Sequence, residues 1–367
     1  MSAQPVNVSF KTEIPARKTH VLGIGSPAAN SAQLSVAEAR KTLEPFRRKR
    51  NAHALALLAS DFGAFAAGQY LVVATDNGWL RLLGIAITWI SIVRLFLIGH
   101  DACHQALTSN QHWNQWMARV AFLASLTPYS TWRAGHNVVH HGFNNLRGRD
   151  YVWEPHTAQE YAAMPRWRQR LERLYRSAAG PGLYYLVEIW WRCLFFPTRR
   201  RAPPRAVFKL DSLLVAGVAG LWVGLIYRYT IAHSTAFWPT LLLAFVIPFM
   251  LWTWSVGLVV YLHHTHPEIR WYADKRRWKL ETAQLASTVH LVMPWPLGPL
   301  IHHIMEHPAH HLDATIPLYQ LKRAQQHLKD IGAGFTSTRF TLGYYRRCVK
   351  VCQLYDYRQQ RWVPFPN

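Results

Sequence analysis

The chain has 367 residues, half of them apolar and only 16% charged, against about a quarter charged in an average soluble protein. An ordinary soluble domain is therefore excluded as the first reading. The net charge of +22 would suit nucleic acid, but the Lys and Arg residues fall between long apolar runs. The positive-inside rule of membrane proteins accounts for that distribution without a nucleic-acid partner, and 17 Trp, 16 Tyr and 16 Phe suit aromatic belts at two membrane interfaces.

Residues 1–34 are polar and read as a tail, and no apolar core of a cleavable signal occurs before residue 45. Ser35-Val-Ala-Glu38 has the form of a capping box and predicts a short helix at the membrane surface, ended by Pro45 and the basic run 47–50. Apolar segments follow at 52–75 and 79–99, each long enough to cross about 30 Å of hydrocarbon. They are joined at Asp76-Asn-Gly-Trp79, which predicts a tight hairpin. A second hairpin is expected from 208–232 and 237–262, joined by His233-Ser-Thr-Ala236. Pro248 should kink its second arm and could shape a tunnel there. Shorter apolar stretches at 117–128, 183–197 and 284–300 read as interfacial or re-entrant, and 284–300 equally as a buried helix broken by Pro294 and Pro296.

The tail, the connection 100–207 and the segment after 262 are rich in Lys and Arg, whereas the two tight turns carry none. All three long segments, and both termini, are therefore expected in the cytosol. The expected organisation is a tail over 1–50, a membrane domain over 51–330 and a cytosolic extension over 331–367. Four cysteines, at 103, 193, 348 and 352, form no CxxC pair and read as free thiols. Asp61 and Arg94 would lie about 13 Å and 9 Å inside the first two spans at 1.5 Å per residue. Charges at such depth are costly, so the two are expected to pair.

Histidine clusters stand at the span ends and in the cytosolic segments. They are His100-Asp-Ala-Cys-His104, His136-Asn-Val-Val-His140-His141, His263-His264-Thr-His266 and His307-Pro-Ala-His310-His311. Residues four apart share a helix face, so His100 pairs with His104, His136 with His140 and His307 with His311. The doublets add imidazoles fanned about 100° away, which suits two neighbouring ions better than one. Imidazole is the commonest nitrogen ligand for zinc, copper, nickel and iron. An all-imidazole pair of ions beside a bilayer suits oxygen chemistry by iron on an apolar substrate. The chain has no Rossmann GxGxxG, no CxxCH haem site and no cysteine set for an iron–sulfur cluster, so electrons must come from a separate donor.

The ordered set HDACH, HNVVHH and HPAHH, with YLHHTHP at the end of the last span, resembles the membrane fatty acid desaturase family, and most closely its omega-type acyl-lipid branch. Trp132-Arg-Ala-Gly-His136, the run 145–153 and the run 308–317 look like the same branch, and the resemblance covers roughly residues 50–330. It implies an all-α integral membrane protein, with four spans in two hairpins and a cytosolic helical cap carrying a non-haem di-iron site. It further implies O2 as co-substrate, a fatty acyl lipid as substrate and a ferredoxin-like or cytochrome b5-like donor. Carried over by motif, the ligands are His100, His104, His136, His140, His141, His307, His310 and His311, with His264 from the last span and His266 as its alternative. One departure is the second box, which reads HxxxHH where the branch commonly has HxxHH; the extra residue is expected to rotate the doublet. Hydroxylases and ketolases share this scaffold and form the alternative reading. A metal transporter is more remote, because its ligands would lie near the bilayer midplane. Asp101 reads either as orienting a ligand imidazole or as a solvated carboxylate. His302 and His303 read as interfacial or supporting residues rather than ligands.

Overall fold

The computed structural model describes residues 34–196 and 205–366; the expected N-terminal tail, apart from Leu34, lies outside the described residues. Helix α1 (Val36–Lys41) begins as its sequence dictates: Ser35 Oγ accepts from the Glu38 amide, and the Ser35 amide donates to Glu38 Oε2 at 2.8 Å. Helices α2 (Asn51–Ala74) and α3 (Gly78–Cys103) are each long and apolar enough to cross a membrane. Asn77 starts α3 by accepting from the amides of Trp79 and Leu80. The two helices approach so closely at Gly68 that a Cβ there would stand 2.8 Å from the Thr88 nitrogen. Of the four long apolar helices α3 is the most buried, and it carries the molecule's centre.

Helix α4 (Gln111–Leu123) accounts for most of the apolar stretch 117–128. It buries Asn114, Met117, Ala118, Ala121 and Phe122, one helical face, against the core. Helix α5 starts at Tyr129–Arg133, opens into a π-helix over Ala134–His140 and closes with a turn at His141–Phe143. After α6 (Ala158–Ala163) and α7 (Arg166–Tyr175), helix α8 begins at Gly180–Tyr184 and continues as a second π-helix over Tyr185–Phe195.

Helices α9 (Ala206–Ala232) and α10 (Phe237–His264) are the other two long apolar helices. The irregularity expected at Pro248 takes the form of a π-turn over Leu242–Val246, directly before the proline. Helix α8 lies against α10 where Gly257 leaves room: a Cβ on it would stand 2.2 Å from the Pro181 oxygen.

The stretch 284–300 is not one broken helix. It comprises the end of α11 (Leu280–Ala286), strand β1 (Val289–Val292) and the turn α12 (Leu297–Leu300). Strand β1 pairs in parallel with β2 (Thr336–Arg339), Val289 opposite Thr336. Between them lie α13 (His307–Leu312) and α14 (Leu318–Asp330). Beyond α15 (Leu342–Val351), strands β3 (Leu354–Asp356) and β4 (Arg361–Val363) form an antiparallel pair. The molecule is thus mostly helical, and two small sheets modify the all-α expectation. The C-terminal stretch joins the same body: the Trp271 amide donates to the Tyr355 hydroxyl at 3.0 Å, and the Tyr345 hydroxyl donates to the Ala178 carbonyl at 2.6 Å.

Candidate metal centre

Four pieces of chain bring the histidines together. The last turn of α3 supplies His100, and His104 caps that helix. The π-helical part of α5 supplies His136 and His140, with His141 at its end. His264 is the last residue of α10, and α13 carries His307, His310 and His311, all six of its residues being buried. Helix α13 is fixed from behind, where the Ala309 amide donates to Gln325 Oε1 at 2.9 Å.

Two groups result. His100, His104, His136 and His310 form one, and His140, His264, His307 and His311 the other; in each, one nitrogen from every ring lies within 4.8 Å of the rest. His141 stands beside the first group, its Nε2 3.1 Å from His136 Nε2 and 3.2 Å from His310 Nε2. In the second, His264 Nε2 lies 3.1 Å from both His140 Nε2 and His307 Nε2. Two nitrogens bound at right angles to one ion at about 2.1 Å would lie about 3.0 Å apart. The spacing, with buried nitrogens at His104 Nε2 and His311 Nε2 that have no partner among the described residues, therefore fits a metal ion in each group. Neutral imidazoles are the ligating form. Burial, reinforced by the neighbouring rings, pushes His104, His136, His141, His307, His310 and His311 well below the ordinary histidine pKa.

The π-helix resolves the odd spacing of the second box. In an α-helix, residues i and i+4 face together; a π-turn, bonded i to i+5, brings i and i+5 together instead. His136 and His141 are five apart and their Nε2 atoms meet. The wider turn thus brings His141, rather than His140, against His136. The expected pairing of His136 with His140 is corrected, since those two rings fall in different groups.

Partners on the far nitrogen aim several rings. His100 Nδ1 donates to Asp101 Oδ1 at 3.0 Å, and the other Asp101 oxygen accepts from the Leu318 amide at 2.6 Å. Asp101 is thus a buried orienting carboxylate, not a solvated one. His140 Nδ1 donates to Asp150 at 3.0 Å, and Asp150 is itself held by the amides of Asn145 and Val152. His264 Nδ1 donates to the Ser287 carbonyl at 3.3 Å, and the Asn144 amide group lies 3.4 Å from His311 Nδ1. Sequence reading missed Asp150, Asn144 and Ser287 in this role.

The remaining histidines stand elsewhere. His266 accepts from the Glu268 amide and joins neither group, whereas His264 does. His263, assigned no role from the sequence, stacks on His307 at 3.6 Å and points Nε2 at the Met305 sulfur. His302 bonds Asp61 at 3.2 Å, and Asp61 accepts from Arg94 Nε at 2.6 Å, so the expected buried pair is present with a third member. Arg94 also donates to the Pro299 carbonyl at 3.2 Å, tying α3 to α12.

Below the imidazoles an apolar cavity runs between α3, α8 and α10. His100, His136, His140, His264 and His307 form its roof. Trp89 and Ser255 also line it and are joined by a 2.8 Å hydrogen bond. Trp89 is eleven residues before His100 on α3, or about 16 Å along the helix. The arrangement can hold two ions over a greasy slot deep enough for a long alkyl chain.

The model of the family described as fatty acid desaturase matches residues 77–342. The chain is 27% identical to an sn-1 oleoyl-lipid 12-desaturase of a Picosynechococcus species, over 80% of this chain and 82% of that one. It is 28% identical to an sn-1 oleoyl-lipid 12-desaturase of Synechocystis over 90% and 92% of the two chains. A ferredoxin-type sn-1 acyl-lipid omega-3 desaturase of Synechocystis is also 28% identical, over 72% of each. All four histidine-bearing pieces of chain fall within the matched span, and the chain belongs to the fatty acid desaturase family of oxidoreductases.

Proposed function

We propose that the chain is a membrane acyl-lipid desaturase that removes two hydrogens from adjacent carbons of a lipid-bound fatty acyl chain. One observation carries the reading: two four-imidazole groups roof a single apolar cavity between long apolar helices. The nine ligands are His100, His104, His136, His140, His141, His264, His307, His310 and His311, and they hold two irons. Bound there, the irons supply the activation of O2, which with two electrons and two protons ends as water while the acyl chain gains a C=C bond. The protein's own part is positional. Asp101 and Asp150 fix the ring orientations, and the apolar wall seats the acyl chain and keeps water from the roof.

In this reading α2 with α3, and α9 with α10, are two hairpins whose basic ends face the cytosol. The histidine roof and both termini then share the cytosolic face. The tail to residue 50, the membrane domain over 51–330 and the extension over 331–367 are its divisions. Electrons come from a soluble one-electron carrier of the ferredoxin or cytochrome b5 kind, whose acidity suits a chain of net charge +22. The ferredoxin in the name of the Synechocystis omega-3 desaturase supports this choice.

The test is expression in a host that makes only saturated and monounsaturated lipids, followed by mass analysis of the fatty-acid methyl esters. Loss of two hydrogens is expected. Gain of one oxygen would assign a hydroxylase instead.

A further inference from the structure

One exposed basic stretch of the surface is tied inward to the second histidine group. Residues 270–281 hold five basic side chains and two acidic ones. Arg270, Lys275, Arg276, Arg277 and Lys279 are all exposed, as is Arg149 on the neighbouring segment. Arg276 pairs with Asp274 at 2.7 Å and Arg147 pairs with Glu160, whereas Arg149, Lys275 and Arg277 form no ion pair among the described residues. The two segments are laced together. The Arg147 amide donates to the Tyr272 carbonyl at 2.9 Å, and the Tyr272 amide donates to the Asn145 carbonyl at 3.0 Å. Arg149 lies over the Phe143 ring at 5.4 Å, and Phe143 packs on Trp278 at 6.0 Å between ring centres.

Trp278 joins this surface to the metal centre. It is buried, although the residues on either side of it are exposed. Its indole N–H donates to the Asn144 carbonyl at 2.9 Å, and the Asn144 side-chain amide lies 3.4 Å from His311 Nδ1. A second thread starts on the same stretch. The Arg270 carbonyl accepts from the Asn145 side chain at 3.2 Å, the Asn145 backbone amide holds Asp150, and Asp150 holds His140. His140 and His311 belong to one group. A single surface stretch therefore reaches two of its rings, each through one or two intervening residues.

We propose that Arg149, Lys275 and Arg277, set around Trp278, form the docking surface for the acidic one-electron carrier that reduces the centre. The inference rests on the desaturase reading above, which requires such a carrier and leaves its binding place open. Desaturation takes two electrons, so two carrier molecules dock in turn, each oxidised by one electron that passes to the metal pair. Attraction between a basic patch and an acidic carrier speeds their encounter and is screened by salt. Redox partners of this kind meet over small interfaces, so a few charges around one aromatic group suffice. An anionic lipid surface would also be drawn to these charges, but it gives no reason for two threads leading inward to ligand rings.

The experiment uses the full chain in nanodiscs of phosphatidylcholine, with ferredoxin as the probe. Affinity is measured first on the metal-free chain, where no turnover contributes. Combining Arg149→Glu, Lys275→Glu and Arg277→Glu is expected to weaken ferredoxin binding by about ten- to hundredfold at low salt and to flatten its salt dependence. A charge-matched control combines Lys322→Glu, Arg323→Glu and Lys329→Glu, all exposed on α14. It should change the affinity by less than about threefold. With metal restored, the first variant should raise the KM for ferredoxin by the same factor as the loss in affinity, without lowering kcat at saturating ferredoxin or the melting temperature. Wild-type affinity in that variant overturns the inference. An equal loss in the α14 control also overturns it, because the attraction would then be one of net charge. A lower kcat and melting temperature at unchanged affinity would make the three residues structural and overturn it likewise. Salt-sensitive binding lost only in the first variant, by a chain whose wild type forms no desaturated product, supports the docking surface and counts against the desaturase reading alone.

Discussion

At the residue scale, the roof depends on groups that never touch a metal. Asp150 is fully buried and holds His140 through Nδ1 while two backbone amides hold Asp150. Replacing it by Asn keeps the size but removes the charge that makes His140 a better ligand. We expect Asp150→Asn to weaken metal affinity by about 10- to 100-fold, read as metal per chain after dialysis against a graded chelator. Wild-type retention in that assay would remove Asp150 from the account. His140→Ala should go further and cost activity by orders of magnitude; near-normal turnover with full iron would mean that His140 is not a ligand. The histidines themselves were legible because they cluster, but the choice between His264 and His266 stayed open until the fold placed His264 in the second group. Their supports were not legible. Asp150 is ten residues from the ring it aims, and the Ser287 contribution is a carbonyl that any residue could supply.

At the element scale, π-helical turns mark the cavity and its roof. The turn in α5 accommodates one residue beyond the usual second box. Deleting Val139 should let that helix relax to α geometry, in which the resulting HNVHH keeps its histidines on one face. Metal content is therefore expected to survive this deletion, whereas deleting Ala309 from α13 should abolish it. Metal lost equally in both would show that the π-turn is not an absorbed insertion. The buried pair offers a second check. Asp61 and Arg94 meet inside the apolar layer and share His302. A double-mutant cycle with Asp61→Asn and Arg94→Gln should show coupling of about 0.5–3 kcal/mol, with the double variant losing less than the sum. Additive losses would mean that the contact contributes nothing of its own. Pairing across 33 residues was readable because both charges sit inside apolar runs at similar depth. Strand β1 was not readable. Val289–Val292 is a short apolar run that does not distinguish helix from strand, and its partner β2 lies 47 residues on.

At the scale of the whole molecule, four long apolar helices, a cavity between them and a roof of imidazoles form one design. The spans were legible from length and hydropathy; the cytosolic side is an expectation from where Lys and Arg fall. The cavity was not legible, because its walls come from α3, α8, α10 and separate segments around Tyr151 and Leu300, whose apolar residues look like ordinary core. Sidedness is open to direct measurement. A reporter active only outside the cytosol, fused after Asn367, should be silent, and a strong signal would put the C-terminus on the other face. The central claim is that a centre of nine histidines, five of them roofing the slot, uses O2 to desaturate an acyl chain lying in it. It is tested by supplying membranes that contain this chain with O2, a reduced ferredoxin and a glycerolipid deuterated on its acyl chain, then weighing the released fatty acid. The account requires loss of two deuterium atoms, with no oxygen gained from labelled O2. An acyl product that retains its carbon skeleton and carries one labelled oxygen would contradict it.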